Sequence, residues 1–177
     1  MSGRFSTTEL RYRTDEHPDQ AHFTPQYVLE PVRTDLGGVI DLDPCTVKTN
    51  PTGAESFYSL PDDGCVLPWA GSVFVNPPYG QAKDRWLRRC AEVSSNQEDI
   101  RVIALVPSAT DTRVFHEVCA TTTAVVFVTG RLKFGVKRPN GRQRAASHPS
   151  VLLGWGTDLV ACADLGRRCR FEREEGP

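Results

Sequence analysis

No apolar run in the sequence approaches the roughly 20 residues that a membrane-spanning helix needs. The stretch MSGRFSTTELRYRTDEHPDQ lacks the apolar core of a secretory signal, so residues 1–20 read as a flexible polar leader and the cytoplasm is the expected setting. The six cysteines, at 45, 65, 90, 119, 162 and 169, include no CxxC pair, and the four histidines show no paired spacing. That argues against a metal site and against a disulfide framework, and leaves buried, inert thiols as the expectation. Internal repeats and a composition break are also missing, so residues 21–165 read as one domain followed by a charged tail over 166–177.

What is present is an uneven distribution of charge. The formal net charge is −1, yet residues 1–60 carry five basic and nine acidic side chains while residues 131–177 carry ten basic and five acidic. The basic excess is concentrated in RLKFGVKRPNGRQR (131–144), where Arg131, Lys133, Lys137, Arg138, Arg142 and Arg144 meet no acid. Composition leaves two readings open: a solvated loop, or a patch that contacts phosphates.

Strand and helix patterns alternate along the chain. FTPQYVLEPVRTDLGG predicts a short helix with Thr24 as its cap, Pro25 in its first position and Gly37 or Gly38 at its end. GVIDLDP (38–44) predicts a short strand, and the turn-rich segment 45–71 predicts loops with one brief element. SVFVN (72–76) is a second strand, and AKDRWLRRCAEVSS (82–95) an amphipathic helix with Trp86, Leu87, Cys90, Ala91 and Val93 to one side. A strand at 100–107, a helix at 111–122 capped by Asp111 or Thr112, and strands at 124–130 and 148–156 complete the pattern, with a hairpin-like basic stretch between the last two. Such alternation predicts an α/β sandwich with a mostly parallel sheet and an antiparallel edge strand.

Ligands of open parallel sheets collect beyond the carboxyl ends of the strands. Three strand exits here are chemically unusual, IDLDP, FVNPPYG and LVPSATD, and all are expected on one rim. In Asn76-Pro77-Pro78-Tyr79 the amide offers an acceptor oxygen that does not titrate near neutral pH. The two prolines fix φ and leave carbonyls facing outward, and the tyrosine offers a flat face for a planar ring. These parts suit a base with an exocyclic amino group: the Asn76 oxygen and the Pro77 carbonyl accept its two hydrogens while Tyr79 stacks on the ring. Hydrogen bonding of that kind favours lone-pair character on the nitrogen, for in-line attack on an activated methyl group. The bland alternative is a proline-stiffened strand exit with Tyr79 as core.

NPPY resembles the catalytic motif of amino-directed S-adenosylmethionine-dependent methyltransferases, and the chain is similar to the small phage-type Dam family of DNA N6-adenine methyltransferases. The resemblance runs through FTPQYVLEP, VIDLDPCT, SLPDDGCVLPW, FVNPPYG, ALVPSATDTRVFHE, VTGRLKFG and AASHPSVLLGW, covering roughly residues 22–156 in consistent order. It implies a Rossmann-like class I methyltransferase fold, S-adenosylmethionine as donor, and adenine in single- or double-stranded DNA as acceptor, in a bacterial or phage-infected cell. It also implies that Asn76, Pro77, Pro78 and Tyr79 bind an adenine lifted out of the helix or already single-stranded.

Cofactor contacts are less sharply written, because VIDLDPCT lacks the glycine-rich turn found after the first strand in many relatives. Thr24 and Pro25 match the family's N-terminal cofactor element, with helix capping as the rival role. Asp41 and Asp43 are candidates for the cofactor's ribose or cationic part, or for turn capping. Asp62 or Asp63, ahead of Trp69, is a candidate acceptor for the cofactor's adenine amino group, or an ordinary Asp-Asp-Gly turn. The GRLKF element shared with the family favours phosphate contacts by the basic stretch. Three other readings stand beside this one: methyl transfer to RNA or to a protein amide, an inactive nucleic-acid-binding module with the same fold, and a cytosine methyltransferase using Cys45. The last lacks a Glu-Asn-Val partner and has its Pro-Cys on the first strand. With no separate recognition domain in view, loops 45–71 and 131–147 are the candidates for sequence preference.

Overall fold

The computed structural model describes residues 23–78, 82–134 and 144–170. Helix α1 spans Gln26–Asp35, followed by strands β1 (Leu42–Thr46), β2 (Ser56–Ser59) and β3 (Ser72–Val75). Helix α2 (Ala82–Asn96), β4 (Arg101–Pro107), α3 (Arg113–Cys119) and β5 (Ala124–Val128) continue the alternation. A two-stranded ribbon, β6 (Lys133–Phe134) with β7 (Arg144–Ala145), then leads to β8 (Ser150–Trp155), a 3-10 turn (Ala161–Leu165) and β9 (Gly166–Arg170).

Seven strands form one mixed sheet in the order β2-β1-β3-β4-β8-β5-β9. Strands β2, β1, β3 and β4 run parallel, and β8 is antiparallel to both β4 and β5. This is the expected α/β, Rossmann-like arrangement, with one refinement. The strand at 150–155 lies inside the sheet rather than at its edge, and the antiparallel edge is β9, paired along β5.

Period-two alternation splits the core into two layers. Val73, Val75, Val102, Ala104, Val106, Val151 and Leu153 face the side where α2 and α3 bring Trp86, Leu87, Cys90, Val93, Phe115 and Val118. Phe74, Ile103, Leu105, Val126 and Leu152 face the other side, covered by Val28, Leu29 and Val32 of α1 and by Leu159 and Cys162. The Asp35 carboxylate at the end of α1 accepts from the amides of Ala161 and Cys162, both at 2.8 Å, which ties the first helix to the 3-10 turn.

Several local expectations change. The first strand begins at Leu42, not at residue 38, because Gly37 and Gly38 adopt positive φ (95° and 104°) and are spent closing α1, where Gly38 N–H reaches Arg33 O at 2.7 Å. Thr112, rather than Asp111, caps α3 by accepting from the Phe115 amide. Residues 166–170, read from sequence as the start of a charged tail, form β9 instead. Its arginines belong to an edge strand, where charge is compatible with pairing on one side only. Among the described residues no helix is long and apolar enough to cross a membrane, and no cluster of three or more His, Cys, Asp or Glu could hold a metal.

Candidate active site

Parallel pairing of β2, β1, β3 and β4 brings their carboxyl ends to one rim. Strand β5 points the same way, because both it and β4 oppose β8, so the ribbon joining β5 to β8 rises from that rim too. Asn76 and Pro77, nominated for the acceptor base, and Arg131 and Lys133, nominated for phosphates, therefore share one edge of the sheet.

Asn76 is the first residue beyond β3. Val75 faces the α2 layer, and the next position turns toward α1. There the half-buried Asn76 donates from Nδ2 to Thr24 Oγ1 at 3.1 Å. Pro77 is buried and Pro78 half-buried behind it. Tyr79, the fourth member of the motif, lies outside the described residues.

Thr24 does not cap α1. The capping position is Pro25, which makes no side-chain bond and lies one residue before the first helical position rather than in it. The Pro25 carbonyl accepts from Val28 and Leu29 at 2.9 and 3.1 Å. The amides of Gln26 and Tyr27 keep no acceptor among the described residues, and the first turn carries no acid. A helix start with no side-chain cap and no acid in its first turn suits an anionic group, and it sits beside Asn76. The residues present therefore fit the carboxylate of the donor that the sequence resemblance implies.

The four candidate aspartates divide. Asp41 precedes β1 and pairs with the opposite end of β3: its Oδ2 accepts from Ser72 N at 2.7 Å and from Ser72 Oγ at 2.8 Å. Those bonds hold its carboxyl below the usual range. Asp41 is thus a clip at the amino rim, at the other end of β3 from Asn76. Gly71, at φ 70°, is packed against this carboxylate where a Cβ would collide with it.

Asp43 lies within β1 and is buried, 2% exposed. Thr52 Oγ1 donates to one oxygen at 2.8 Å and the Cys45 amide to the other at 3.0 Å. It therefore anchors the turn after β1, which Asn50 also organises by accepting from Ala54 N and donating to Ala54 O. In the turn after β2, Asp62 and Asp63 are both exposed, and Asp63 accepts from the Cys65 amide at 3.1 Å and from Arg85 of α2 at 2.8 Å. Trp69 is core: it stacks on Trp86 at 6.2 Å and donates to Gly64 O at 2.7 Å. The sequence reading missed Thr52 and Asn50, although Asn-Pro-Thr-Gly is a legible side-chain-to-backbone turn.

Burial raises the Asp43 carboxyl to about 6, against the opposing hydrogen bonds from Thr52 and Cys45. The folded state thus holds its proton more tightly than the unfolded chain does. The resulting stabilisation is present below the ordinary carboxylate value and is lost as pH rises through about 6. Asp43→Asn removes this titration. Measured by urea unfolding from pH 4 to 7, the wild type should lose up to about 3 kcal/mol relative to the variant, from 1.36 kcal/mol per unit. A pH-independent difference would contradict it.

Burial first, and then the Asp43 carboxylate, push the Cys45 thiol well above the ordinary value, so the reactive thiolate is disfavoured. Burial likewise raises Cys65 to about 11.

In the ribbon, Lys133 pairs with Ala145 and Phe134 with Arg144. Ala146 N–H to Leu132 O (2.7 Å) and Arg131 Nη1 to Ser147 O (2.7 Å) extend it downward. Leu132 and Phe134 anchor it in the α1-side core, and Lys133 alternates outward to solvent. Lys137, Arg138 and Arg142 lie outside the described residues, and only the backbone of Arg144 is described.

No curated protein matches the chain at a significant level. A family model described as DNA N-6-adenine-methyltransferase (Dam) matches residues 13–159, which takes in α1, every parallel strand, the Asn-Pro-Pro exit and the ribbon. An amide-bearing strand exit, an uncapped helix start and a basic ribbon on one rim thus stand inside a match that spans most of the sequence: the chain belongs to the DNA N-6-adenine-methyltransferase (Dam) family.

Proposed function

We propose that the protein transfers a methyl group from S-adenosylmethionine to the N6 amino group of adenine in DNA, by direct in-line displacement. The observation that carries this reading is the placement of Asn76 and Pro77 at the carboxyl end of β3, with Asn76 bonded to Thr24 at the uncapped start of α1. S-adenosylmethionine, when bound, supplies an electrophilic methyl group. The chain's own work is to hold the acceptor. Asn76 Oδ1 and the Pro77 carbonyl take the two amino hydrogens, and the ring stacks on Tyr79. As the nitrogen bonds to the methyl carbon and the methyl–sulfur bond breaks with its electron pair left on sulfur, the nitrogen gains positive charge, which those two oxygens would stabilise without moving. One amino proton then passes to solvent to leave N6-methyladenine.

The amides of Gln26 and Tyr27 with Thr24 and Pro25 form the seat for the donor's carboxylate. Asp43 serves this rim indirectly, by fixing the turn at 47–54, and Asp62 is an exposed acid in the turn after β2. The ribbon residues Arg131 and Lys133, with Lys137, Arg138, Arg142 and Arg144, hold the phosphate chain, a role that positions DNA without reading its sequence. Because duplex DNA hides N6, the target adenine is extruded or presented on a single strand.

The test is to incubate the protein and S-adenosylmethionine with random-sequence DNA, single- and double-stranded, and in parallel with RNA and a protein mixture. Mass spectrometry of the nucleosides should show N6-methyladenine from DNA. Label appearing only in RNA or protein would refute the acceptor assignment, and donor binding with no product anywhere would refute the enzyme assignment.

A further inference from the structure

Lysine is rarely buried unless its charge is paired, and a positive charge in the first turn of a helix lies at the unfavourable end of the macrodipole. Lys83 breaks both rules. It lies in the first turn of α2 and is only 8% exposed. It shares a face with Trp86 and Leu87, three and four positions on, which pack into the α2-side core. Among the described residues the acid paired with it is the adjoining Asp84, at 3.8 Å, whose side chain is 45% exposed. That separation is beyond hydrogen-bond length, and a half-exposed partner adds little. The Lys83 ammonium makes no hydrogen bond among the described residues.

The placement of this charge suggests what it serves. Strand β3 ends at Val75 on the carboxyl rim and α2 starts at Ala82, so Lys83 stands where the chain re-enters the fold after Asn76-Pro77-Pro78. Helical side chains lean toward the amino end of their helix, so the Lys83 stem packs beneath α2 and its head leans toward that rim. Asn76 turns to Thr24 on the α1 side, whereas Lys83 lies on the α2 side. The donor has to reach N6, and the sugar and its phosphates hang from the other end of the base. An anion on the α2 side then belongs to the nucleotide rather than to the donor. Resting on the function proposed above, we infer that Lys83 binds a backbone phosphate next to the target adenine. The ribbon grips the DNA at large; Lys83 holds the one nucleotide that reacts, by a charge-assisted hydrogen bond that carries no sequence information.

The experiment uses short DNAs with one target adenine, taken from a site that the protein methylates. In each, one of the two phosphates flanking that adenine is replaced by an uncharged methylphosphonate. With wild type, one of the two replacements should lower the single-turnover rate at subsaturating DNA about tenfold. Lys83→Met keeps the apolar stem and drops the charge. It should lose about the same factor on unmodified DNA, and the sensitive replacement should then cost it nothing further. Lys83→Arg should restore both the rate and the sensitivity. In Lys83→Met the slope of log affinity against log salt should be shallower by about one. Its affinity for S-adenosylhomocysteine, the spent donor, should match wild type by calorimetry. Independent losses from the variant and the methylphosphonate, or no loss in wild type from either replacement, overturn the inference while leaving the methyltransferase reading intact. Loss of S-adenosylhomocysteine affinity with an unchanged salt slope also overturns it, and makes the donor carboxylate the partner of Lys83. A wild type that yields no N6-methyladenine on any DNA refutes the function proposed above, and the inference with it.

Discussion

Asn76→Ala should lower methyl transfer about a hundred- to a thousandfold at saturating DNA and cofactor, the scale on which one preorganised polar partner of a developing charge acts. The reason is local. Asn76 begins where β3 stops, so its backbone is held by the sheet, and its side chain is held by Thr24. On the proposed function, alanine leaves the amino nitrogen with the Pro77 carbonyl alone as it becomes positive. Asn76→Asp keeps an acceptor oxygen at the same reach and should retain more activity than the alanine variant. Single-turnover rates separate this from weakened binding, and calorimetry should find S-adenosylhomocysteine affinity within a few fold of wild type. A drop in affinity that accounts for the whole loss, or alanine equal to aspartate, would contradict the assignment.

Phe74→Ala carries the largest expected cost in stability. Phe74 is fully buried on the α1 side of β3, paired in register with Ile103, in the layer where Val28, Leu29 and Val32 dock. Truncating such a ring removes its transfer energy and leaves a cavity that a two-sided sheet cannot collapse, about 3–5 kcal/mol in all. Against a typical total of about 5–15 kcal/mol that loss brings the chain near its unfolding threshold. Urea unfolding at neutral pH should show a lower midpoint with an unchanged slope. A loss below about 1 kcal/mol would mean that the α1 layer repacks freely.

Much of this architecture is legible in the residues themselves. Val73-Phe74-Val75, Arg101–Pro107 and Ser150–Trp155 are apolar runs of strand length, and the 82–96 helix shows its face through Trp86, Leu87, Cys90 and Val93. The carboxyl rim followed from strand–helix alternation, and with it the joint position of the Asn-Pro-Pro exit and the basic ribbon. What stayed hidden depended on register and direction. Asp41 and Asp43 are two residues apart, yet one clips the amino rim to Ser72 and the other anchors a turn. Nothing in IDLDP says where pairing begins. Gly166-Arg167-Arg168-Cys169-Arg170 carries no apolar alternation, because an edge strand gains its place from the β5 ladder rather than from burial. Thr24 matched a capping signature because a hydroxyl before a helix is ordinarily spent on the helix; here it is spent on a side chain 52 positions away.

The inserted position of β8 also governs the order in which the molecule can be assembled. Strands β4 and β5 are close in sequence but do not pair with each other; each pairs instead with residues 150–155. A nascent chain that has emerged only through β5 has two separate strand edges and no means of joining them. Closure waits for a segment made after the basic ribbon, so the step that completes the sheet is non-local and comes late. Until then, the most apolar strands of the protein are the ones left exposed to other chains.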